Sequence, residues 1–311
     1  MDKVNANVIQ LHATSHPRRR VRLSSVWPVT SADIVTLNVE QTRKPGDPII
    51  AAEPDQHAGL MKHLWDAIQD QQVVVHYQPQ FDLATGQIAA MEALVRISGP
   101  SGNLLYPDSF IKAAEECGLI VNLGRAIARQ ACQDFAGWRK SGFSVERIAI
   151  NLSANQLNLD HFFFEFMQST LSETGLTFQD IEFELTERQF LESDGSGTNT
   201  LRALSNAGSR LALDDFGTGY SSLSYLTTLD IDTIKLDREM VRRLPNHDTT
   251  SCIVSHLLVL AEDLGLQVVA EGVETKDQKN FLTEAGCHLA QGFFLALPLP
   301  RDQVQSLLTW H

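Results

Sequence analysis

Between residues 57 and 311, short apolar runs alternate with segments in which apolar residues recur at helical spacing. The runs predict strands because they are short and are bounded by polar or glycine-rich stretches. The predicted strands are 73–79, 88–97, 147–152, 181–186, 210–215, 233–236, 267–271 and 289–293. The predicted helices are 59–71, 108–121, 123–141, 160–174, 198–207, 249–264, 276–285 and a last helix that begins at Asp302.

The order of these elements predicts the fold class. Residues 80–87, with the turn signal Ala84-Thr85-Gly86, are too few to hold a crossover helix, so the first two strands should form an antiparallel hairpin. Helical crossovers join the later strands. The segment that contains all eight strands and their helices is close in length to the ~250 residues typical of a (β/α)8 barrel. We therefore predict an α/β fold, a TIM-like (β/α)8 barrel variant with one antiparallel strand from the initial hairpin. An open, doubly wound sheet is the competing topology, and it is disfavoured because no glycine-rich phosphate loop follows the first strand.

Residues 1–56 show no sustained periodicity and are rich in proline, which predicts a mostly disordered N-terminal extension ahead of a globular domain at 57–311. A short strand near residues 34–39 is the candidate element within this extension. The basic run at 18–22 is a candidate contact for an anionic surface or for a regulatory protein partner, and a solvated tail is the alternative.

Composition narrows the classes of function. The chain has 311 residues, of which 43% are hydrophobic, and a formal net charge of −13. This charge argues against a nucleic-acid duplex as partner, because affinity for a duplex requires clustered cations. No apolar stretch approaches the roughly 20 residues that a membrane helix needs, and no secretory signal is visible. The four cysteines are scattered without a CxxC pair, which favours reduced thiols and the cytoplasm.

Carboxylates recur where the predicted strands end, which in a barrel is the active-site face. Asp214 and Asp215 close an apolar run, and alone such a pair would indicate a solvated turn. The other strand ends argue for a functional role, because they carry further polar side chains. Strand alternation turns Glu182, Glu184 and Thr186 inward, and Glu187 and Glu274 lie just beyond their strands. These candidates are Glu92, Arg96, Asn151, Glu182, Glu184, Thr186, Glu187, Lys235, Glu271, Glu274 and Gln291.

Nearly all of these side chains are oxygen donors, and so many carboxylates require cations to compensate them. Oxygen donors without cysteine or HxxxH spacing favour Mg²⁺ or Mn²⁺ over zinc, and their number suits two ions. Two ions can clamp a phosphoryl group and ionise a water for in-line attack. Lys235 can orient or deprotonate that water, and Arg96 can pair with a phosphate oxygen. The residues by themselves therefore predict a metal-dependent phosphoesterase.

The segment Glu92-Ala93-Leu94-Val95-Arg96 resembles the signature of the EAL-domain cyclic di-GMP phosphodiesterases. The resemblance covers roughly residues 57–311, and further motifs follow in the family's order. These motifs are Tyr77-Gln78-Pro79, Asn151-Leu152-Ser153, Glu184-Leu185-Thr186-Glu187, the 214–223 loop, Ile234-Lys235-Leu236-Asp237, Ala270-Glu271-Gly272-Val273-Glu274 and Gln291-Gly292. The resemblance implies hydrolysis of cyclic di-GMP to linear 5′-pGpG with Mg²⁺ or Mn²⁺.

The same resemblance implies roles for individual residues. The first ion would be held by Glu92, Asn151, Glu184 and Asp214, and the second by Asp215 with Asp214 and Glu271. Lys235 would serve the nucleophilic water. The dinucleotide would be contacted or framed by Gln78, Leu94, Arg96 and Gln291. Glu187 would anchor the loop that contains Thr218 and Gly219, and Glu274 would support the site beside the seventh strand. We expect Ca²⁺ to inhibit, because its looser coordination should fill the site without supporting in-line attack.

Two departures from the family's pattern are visible. Ile97 and Gly99-Pro100 stand where a tryptophan and a His-Pro pair often follow the arginine, and Leu297 replaces a basic residue before Pro298. Neither departure removes a predicted ligand.

The resemblance further implies a homodimer through the barrel near the 216–223 loop. A non-hydrolysing cyclic di-GMP receptor or interaction module on the same fold is the main alternative, and an unrelated metal-dependent barrel phosphatase is the third.

Overall fold

The structure, a computed structural model, describes residues 56–70, 72–99, 103–192, 195–217 and 230–308. Nearly all of the predicted N-terminal extension lies outside these ranges, and so does the 218–223 part of the loop predicted to lie near a dimer contact. Both expectations therefore stay predictions. Within the described ranges, no helix has the length and apolar character that crossing a membrane requires.

The barrel starts from the predicted hairpin. Strands β1 (Val73–Asp82) and β2 (Ile88–Ser98) pair antiparallel along nearly their whole length. At the turn, the Asp82 carboxylate accepts hydrogen bonds from the backbone N–H and the hydroxyl of Thr85 at 2.7 and 2.9 Å. Gly86 takes a φ of +73°, a conformation that glycine adopts without a steric penalty. The turn chemistry read from the sequence thus closes the hairpin.

Eight strands close the barrel, as predicted. The strands after β2 are β3 (Leu104–Leu105), β4 (Arg147–Asn151), β5 (Ile181–Thr186), β6 (Arg210–Phe216), β7 (Thr233–Leu236), β8 (Gln267–Ala270), β9 (Leu289–Ala290) and β10 (Leu299–Pro300). The ring runs β1-β2-β4-β5-β6-β7-β8-β9, and β9 pairs back onto β1. β1 is antiparallel to both of its neighbours in the ring, and the remaining pairs are parallel. The short strands β3 and β10 lie outside the ring, on β2 and β1.

The helices occupy the connections between strands. They are α1 (Gln56–Gln69), α2 (Ile111–Glu116), α3 (Ile120–Lys140), α4 (Ala154–Leu159), α5 (Phe163–Thr174), α6 (Glu187–Glu192), α7 (Gly195–Asn206), α8 (Arg238–Arg242), α9 (Asp248–Asp263), α10 (Lys276–Glu284) and α11 (Arg301–Leu308). The longer helices agree with prediction to within a few residues, apart from the one predicted at 108–121. There a 3₁₀ turn at Pro107–Ser109 precedes α2, and Gly118 with φ +74° separates α2 from α3.

Two further differences concern short elements. Helices α4, α6 and α8, of five or six residues, are too short to show a helical periodicity in the sequence. The strand predicted at 289–293 ends at Ala290. Just beyond it, Gly292 approaches the next segment so closely that a Cβ would lie 2.2 Å from the Val273 backbone nitrogen. Only glycine permits this close approach.

The apolar side of the sheet faces the helices. Phe183 and Leu185 of β5 lie in the main core cluster together with Trp138 of α3. Tyr77 of β1 lies edge-on to Trp138, with ring centroids 4.7 Å apart, and donates a 2.6 Å hydrogen bond to Asp134. Because successive strand residues point to opposite faces, the intervening polar residues point into the barrel interior.

Candidate active site

Seven polar side chains are brought together at the carboxyl ends of the barrel strands. Five of them lie on β2, β4, β5, β6 and β7, and two follow directly after β8 and β9. They are Glu92, Asn151, Glu184, Asp214, Lys235, Glu271 and Gln291. All seven were predicted as site residues. Five of these, Glu92, Glu184, Asp214, Lys235 and Glu271, are called the mouth cluster below.

Lys235 is the centre of the mouth cluster. Its Nζ atom lies 2.7 Å from an oxygen of Glu184 and 2.7 Å from an oxygen of Glu271. The distances to Asp214 and Glu92 are 3.3 and 3.6 Å. The lysine side chain is only 1% exposed. One buried ammonium group therefore faces four carboxylates, so the cluster contains more negative than positive charge.

Two amide side chains hold the carboxylates in place. Asn151 Nδ2 donates to Glu92 Oε1 at 3.0 Å. Gln291 Nε2 donates to Glu92 Oε2 at 2.7 Å and to Glu271 Oε1 at 3.1 Å. Burial opposes the ionisation of Glu92, but Lys235 and the two amides outweigh burial and lower the Glu92 pKa. Gln291 thus orients carboxylates of the site, and its contact with a substrate remains a prediction.

Asp214 and Asp215 lie at a β-bulge. The register between β6 and β7 shifts by one residue between Leu213 and Phe216. Asp215 takes a left-handed φ of +56°, and Phe216 occupies the core-facing position that simple alternation would give to Asp215. The Asp215 N–H donates to Asp214 Oδ1 at 2.9 Å. The bulge keeps the Asp215 carboxylate out of the apolar core.

The crowded charges shift protonation equilibria. Burial raises the pKa of Asp215 to about 6 and that of Glu271 to about 8, in the second case against the opposing effect of Lys235. Burial and the neighbouring charge of Glu92 raise the pKa of Glu184 well above its ordinary range. For Lys235, burial lowers the pKa, but the surrounding carboxylates outweigh burial and raise it. The carboxyl shifts indicate a site in which added positive charge would be stabilising.

The donor chemistry of the site fits divalent cations. Carboxylate and amide oxygens are the ligands that Mg²⁺ and Mn²⁺ prefer. Glu184 Oε1 is buried without a hydrogen-bond partner among the described residues, which leaves a carboxyl oxygen available to a cation. Within the same residues, no three Asp, Glu, His or Cys side chains are already grouped to hold an ion. The carboxylates instead surround Lys235 Nζ.

The β1–β2 side of the mouth carries the predicted substrate contacts. Gln78 lies opposite Glu92 in the strand register, and Leu94 and Arg96 follow Glu92 on the same face of β2. Arg96 is 7% exposed, and its guanidinium carbon lies 4.8 Å from the ring centroid of Tyr106. Sequence reasoning did not identify Tyr106. The only signal in the sequence was a lone aromatic residue between a two-residue apolar run and a proline.

The predicted supporting residues are placed differently. Glu187 is buried at the start of α6, directly after β5. Glu274 is exposed, and its backbone N–H donates to Gln278 Oε1 at 2.8 Å. Thr218 and Gly219 lie outside the described residues. Anchoring of their loop by Glu187 therefore stays a prediction.

Comparison with known proteins gives consistent matches. The model of the EAL domain matches residues 61–298. Cyclic di-GMP phosphodiesterase PdeR of Escherichia coli (strain K12) is 38% identical over 253 residues, which make up 79% of this chain and 38% of PdeR. Cyclic di-GMP phosphodiesterase NbdA of Pseudomonas aeruginosa is 37% identical over 253 residues, covering 81% of this chain and 32% of NbdA. The solved structure of the PaMucR phosphodiesterase in complex with c-di-GMP has a TM-score of 0.73 and 36% identity, covering 79% of this chain and 99% of that chain.

These matches establish family membership for the EAL domain, because the curated relatives are matched over only part of their length. The chain spans two fifths or less of the length of the curated relatives it matches. The PaMucR structure, by contrast, is matched along nearly its whole length. The family match includes all seven strand-end side chains of the site, from Glu92 to Gln291. The chain belongs to the EAL domain family.

Proposed function

We propose that the chain is a metal-dependent phosphodiesterase that hydrolyses cyclic di-GMP to linear 5′-pGpG. The observation that carries the proposal is the mouth cluster, in which four carboxylates share one buried lysine at the active-site end of the barrel. The names of PdeR and NbdA, and the c-di-GMP complex of PaMucR, support the choice of substrate. Phosphodiesterases with this domain are in general metal-dependent.

The strand-end oxygens are the proposed metal ligands. Glu92, Asn151, Glu184 and Asp214 would hold one ion, and Asp215 with Asp214 and Glu271 would hold the other. Bound Mg²⁺ or Mn²⁺ would stabilise negative charge on the phosphoryl group and lower the pKa of an attacking water. The bulge supports this assignment because it keeps the Asp215 carboxylate out of the apolar core, and, besides burial, the charges of Asp214 and Lys235 act on its pKa.

Lys235 is proposed to orient the attacking water. The surrounding carboxylates raise the pKa of its ammonium group, which donates hydrogen bonds within the mouth cluster. Its contacts with Glu184 and Glu271 fix the direction of those donors. Of the two roles that the sequence leaves open for Lys235, orientation and deprotonation, we propose orientation, because its ammonium group already donates to two of the proposed metal ligands.

Arg96 is proposed to bind a phosphate oxygen of the dinucleotide, with Gln78, Leu94 and Gln291 framing the substrate. Arg96 donates to the Val95 carbonyl at 2.7 Å and forms no ion pair with a described carboxylate. Because a guanidinium carries five N–H donors, several remain for an anionic ligand.

The test is to incubate the purified chain with cyclic di-GMP and Mg²⁺ or Mn²⁺ and to identify products by chromatography with mass detection. We expect linear 5′-pGpG to accumulate and EDTA to stop the reaction. Glu92→Gln is the matched control, since it keeps the side-chain size and removes the charge. No product, or a different one, contradicts the proposal. Binding of cyclic di-GMP without turnover would assign the chain to the receptor alternative.

A further inference from the structure

We infer that Tyr106 is a positioning residue, which holds the Arg96 guanidinium in the orientation that binds a phosphate group of the cyclic dinucleotide. The inference rests on the proposed function and adds a residue to it. The Arg96 Cζ atom lies 4.8 Å from the Tyr106 ring centroid, within the range of a cation–π contact. A planar guanidinium that rests on a ring directs its N–H groups sideways, away from the ring face.

The end of β2 brings Tyr106 to this place. Both residues of β3 pair with the last residues of β2, so the next residue, Tyr106, lies beside Arg96. Gly99 extends this pairing by donating its N–H to the Asn103 carbonyl at 2.6 Å. A Cβ at Gly99 would stand 2.6 Å from Asn103 Oδ1 and 3.1 Å from the Asn103 carbonyl oxygen, so a larger residue would require Asn103 to shift.

The backbone of Tyr106 is also fixed on its other side. Pro107 follows and restricts Tyr106 to extended backbone angles, which are observed at φ −98° and ψ 155°. The Tyr106 carbonyl accepts hydrogen bonds from the Ser109 N–H at 2.9 Å and from the Ser109 hydroxyl at 2.6 Å. The chain therefore holds the backbone beneath the ring independently of the contact with Arg96, and the ring can act as a rigid support.

Among the described residues, the polar contacts that fix the charged end of Arg96 are few, so Tyr106 can set its orientation. Its one hydrogen bond among the described residues goes to the carbonyl of the preceding residue, Val95, at 2.7 Å. The side chain is nevertheless 7% exposed, whereas Tyr106 is 58% exposed. A buried guanidinium beside an open aromatic residue presents donors at the edge of the mouth. A phosphodiester is the anionic group in the proposed substrate that such donors bind.

Steady-state kinetics with three substitutions at Tyr106 tests the inference. We expect Tyr106→Ala and Tyr106→Leu to raise KM, and the Kd for cyclic di-GMP measured in Ca²⁺, roughly fivefold. The value of kcat and the Mg²⁺ dependence should not change, because the metal ligands are untouched. Tyr106→Phe keeps the ring and should stay within about twofold of the wild type. Phe162→Ala is the control, since Phe162 is a similarly exposed aromatic residue at 69%.

The contact itself is tested in an Arg96→Ala background. There, Tyr106→Ala should have little further effect on Kd, because its effect acts through the guanidinium. Unchanged KM and Kd in both Tyr106→Ala and Tyr106→Leu would overturn the inference while leaving the proposed function intact. Equal effects with and without Arg96 would also overturn it. A wild-type chain that neither binds nor hydrolyses cyclic di-GMP would instead overturn the proposed function, and the inference with it.

Discussion

The two ends of the barrel interior carry different balances of charge on the same strands. At the amino ends, the fully buried Glu182 of β5 accepts a 2.5 Å hydrogen bond from Arg147 Nε and lies 3.3 Å from Arg210 Nε. We call these three residues the floor cluster. Two residues further along the same strand, Glu184 belongs to the mouth cluster, where four carboxylates share the ammonium of Lys235.

We interpret this difference as that between a structural cluster at the floor and the proposed active site at the mouth. The floor cluster supplies its own counter-charges, so its carboxylate is neutralised within the chain. The mouth cluster is left with excess negative charge, which the fold tolerates at the cost of raised carboxyl pKa values. A barrel is stabilised at its floor and does chemistry at its mouth, and the charge balance follows that division.

The largest effect should come from exchanging charge for amide at the two positions on β5. Glu184→Gln should lower kcat/KM by at least about a hundredfold, because it removes a proposed metal ligand. Its stability should stay near that of the wild type, since a like charge is lost from a crowded cluster. Glu182→Gln should have the opposite pattern, with lowered stability and unchanged kcat/KM. It removes the buried counter-charge of Arg147, whose remaining carboxylate partner, Glu146, is exposed. This loss should cost about 3 kcal/mol, and activity should be kept in the folded fraction.

Urea unfolding and steady-state kinetics on the same preparations check this pair. Both substitutions keep the side-chain size, so the comparison isolates charge at the two ends of one strand. If both variants lost mainly activity, or both lost mainly stability, the division between floor and mouth would be wrong.

The next effect concerns the choice of ion at the mouth. Ca²⁺ accepts more ligands and longer bonds than Mg²⁺, so we expect it to bind the mouth without supporting turnover. Activity in Mg²⁺ should fall as Ca²⁺ is added and return with excess Mg²⁺. Glu182→Gln, if sufficiently folded, should show the same competition, because the floor holds no proposed ligand. Full turnover with Ca²⁺ alone would contradict the assignment of the mouth oxygens.

A smaller effect is expected in the pH dependence of stability without metal. A carboxyl group whose pKa is raised by folding binds more protons when folded, so stability falls as pH rises toward the folded pKa. For Asp215 the window runs from 3.8 to about 6, and for Glu271 from 4.5 to about 8. Thermal unfolding in EDTA should therefore show declining stability across these windows, and Glu271→Gln should flatten the upper part. Glu274→Gln, at an exposed position, is the control and should leave the profile unchanged.

Much of the barrel and most of the site could be predicted because both follow from strand alternation. The alternation around Glu184 predicted which residues face inward. The polar residues at the strand ends predicted where in the barrel the mouth cluster lies. The bulge at Asp215 could not be predicted, because a register shift depends on how β6 meets β7 and leaves no periodic signal. Tyr106 was missed for a related reason, since a two-residue strand is too short to show a pattern.

The sequence predicted only part of the difference in charge between the floor cluster and the mouth cluster. Glu182 and Glu184 were both predicted to face inward, and nothing in their spacing separates them. They differ through Arg147 and Lys235, which come from other strands at different heights in the barrel. Which cation meets which carboxylate is decided by strand register across the ring, and the linear pattern of apolar and polar residues does not specify that register.

The smallest effect is expected at Gln80, a polar residue level with the floor that takes no part in its ion pairs. Gln80 lies opposite Ala90, which in turn pairs with Arg147. It is fully buried, and both of its amide atoms lack hydrogen-bond partners among the described residues. Burying an unsatisfied amide is unfavourable, so Gln80→Leu should raise the free energy of unfolding by about 1 kcal/mol or less and leave activity unchanged.

Gln78→Leu, one step nearer the mouth on the same face, should instead weaken cyclic di-GMP binding. Urea unfolding and calorimetric titration on both variants decide the matter: a loss of more than about 2 kcal/mol at Gln80 would show that the floor depends on polar contacts beyond the pairing of Glu182 with its arginines.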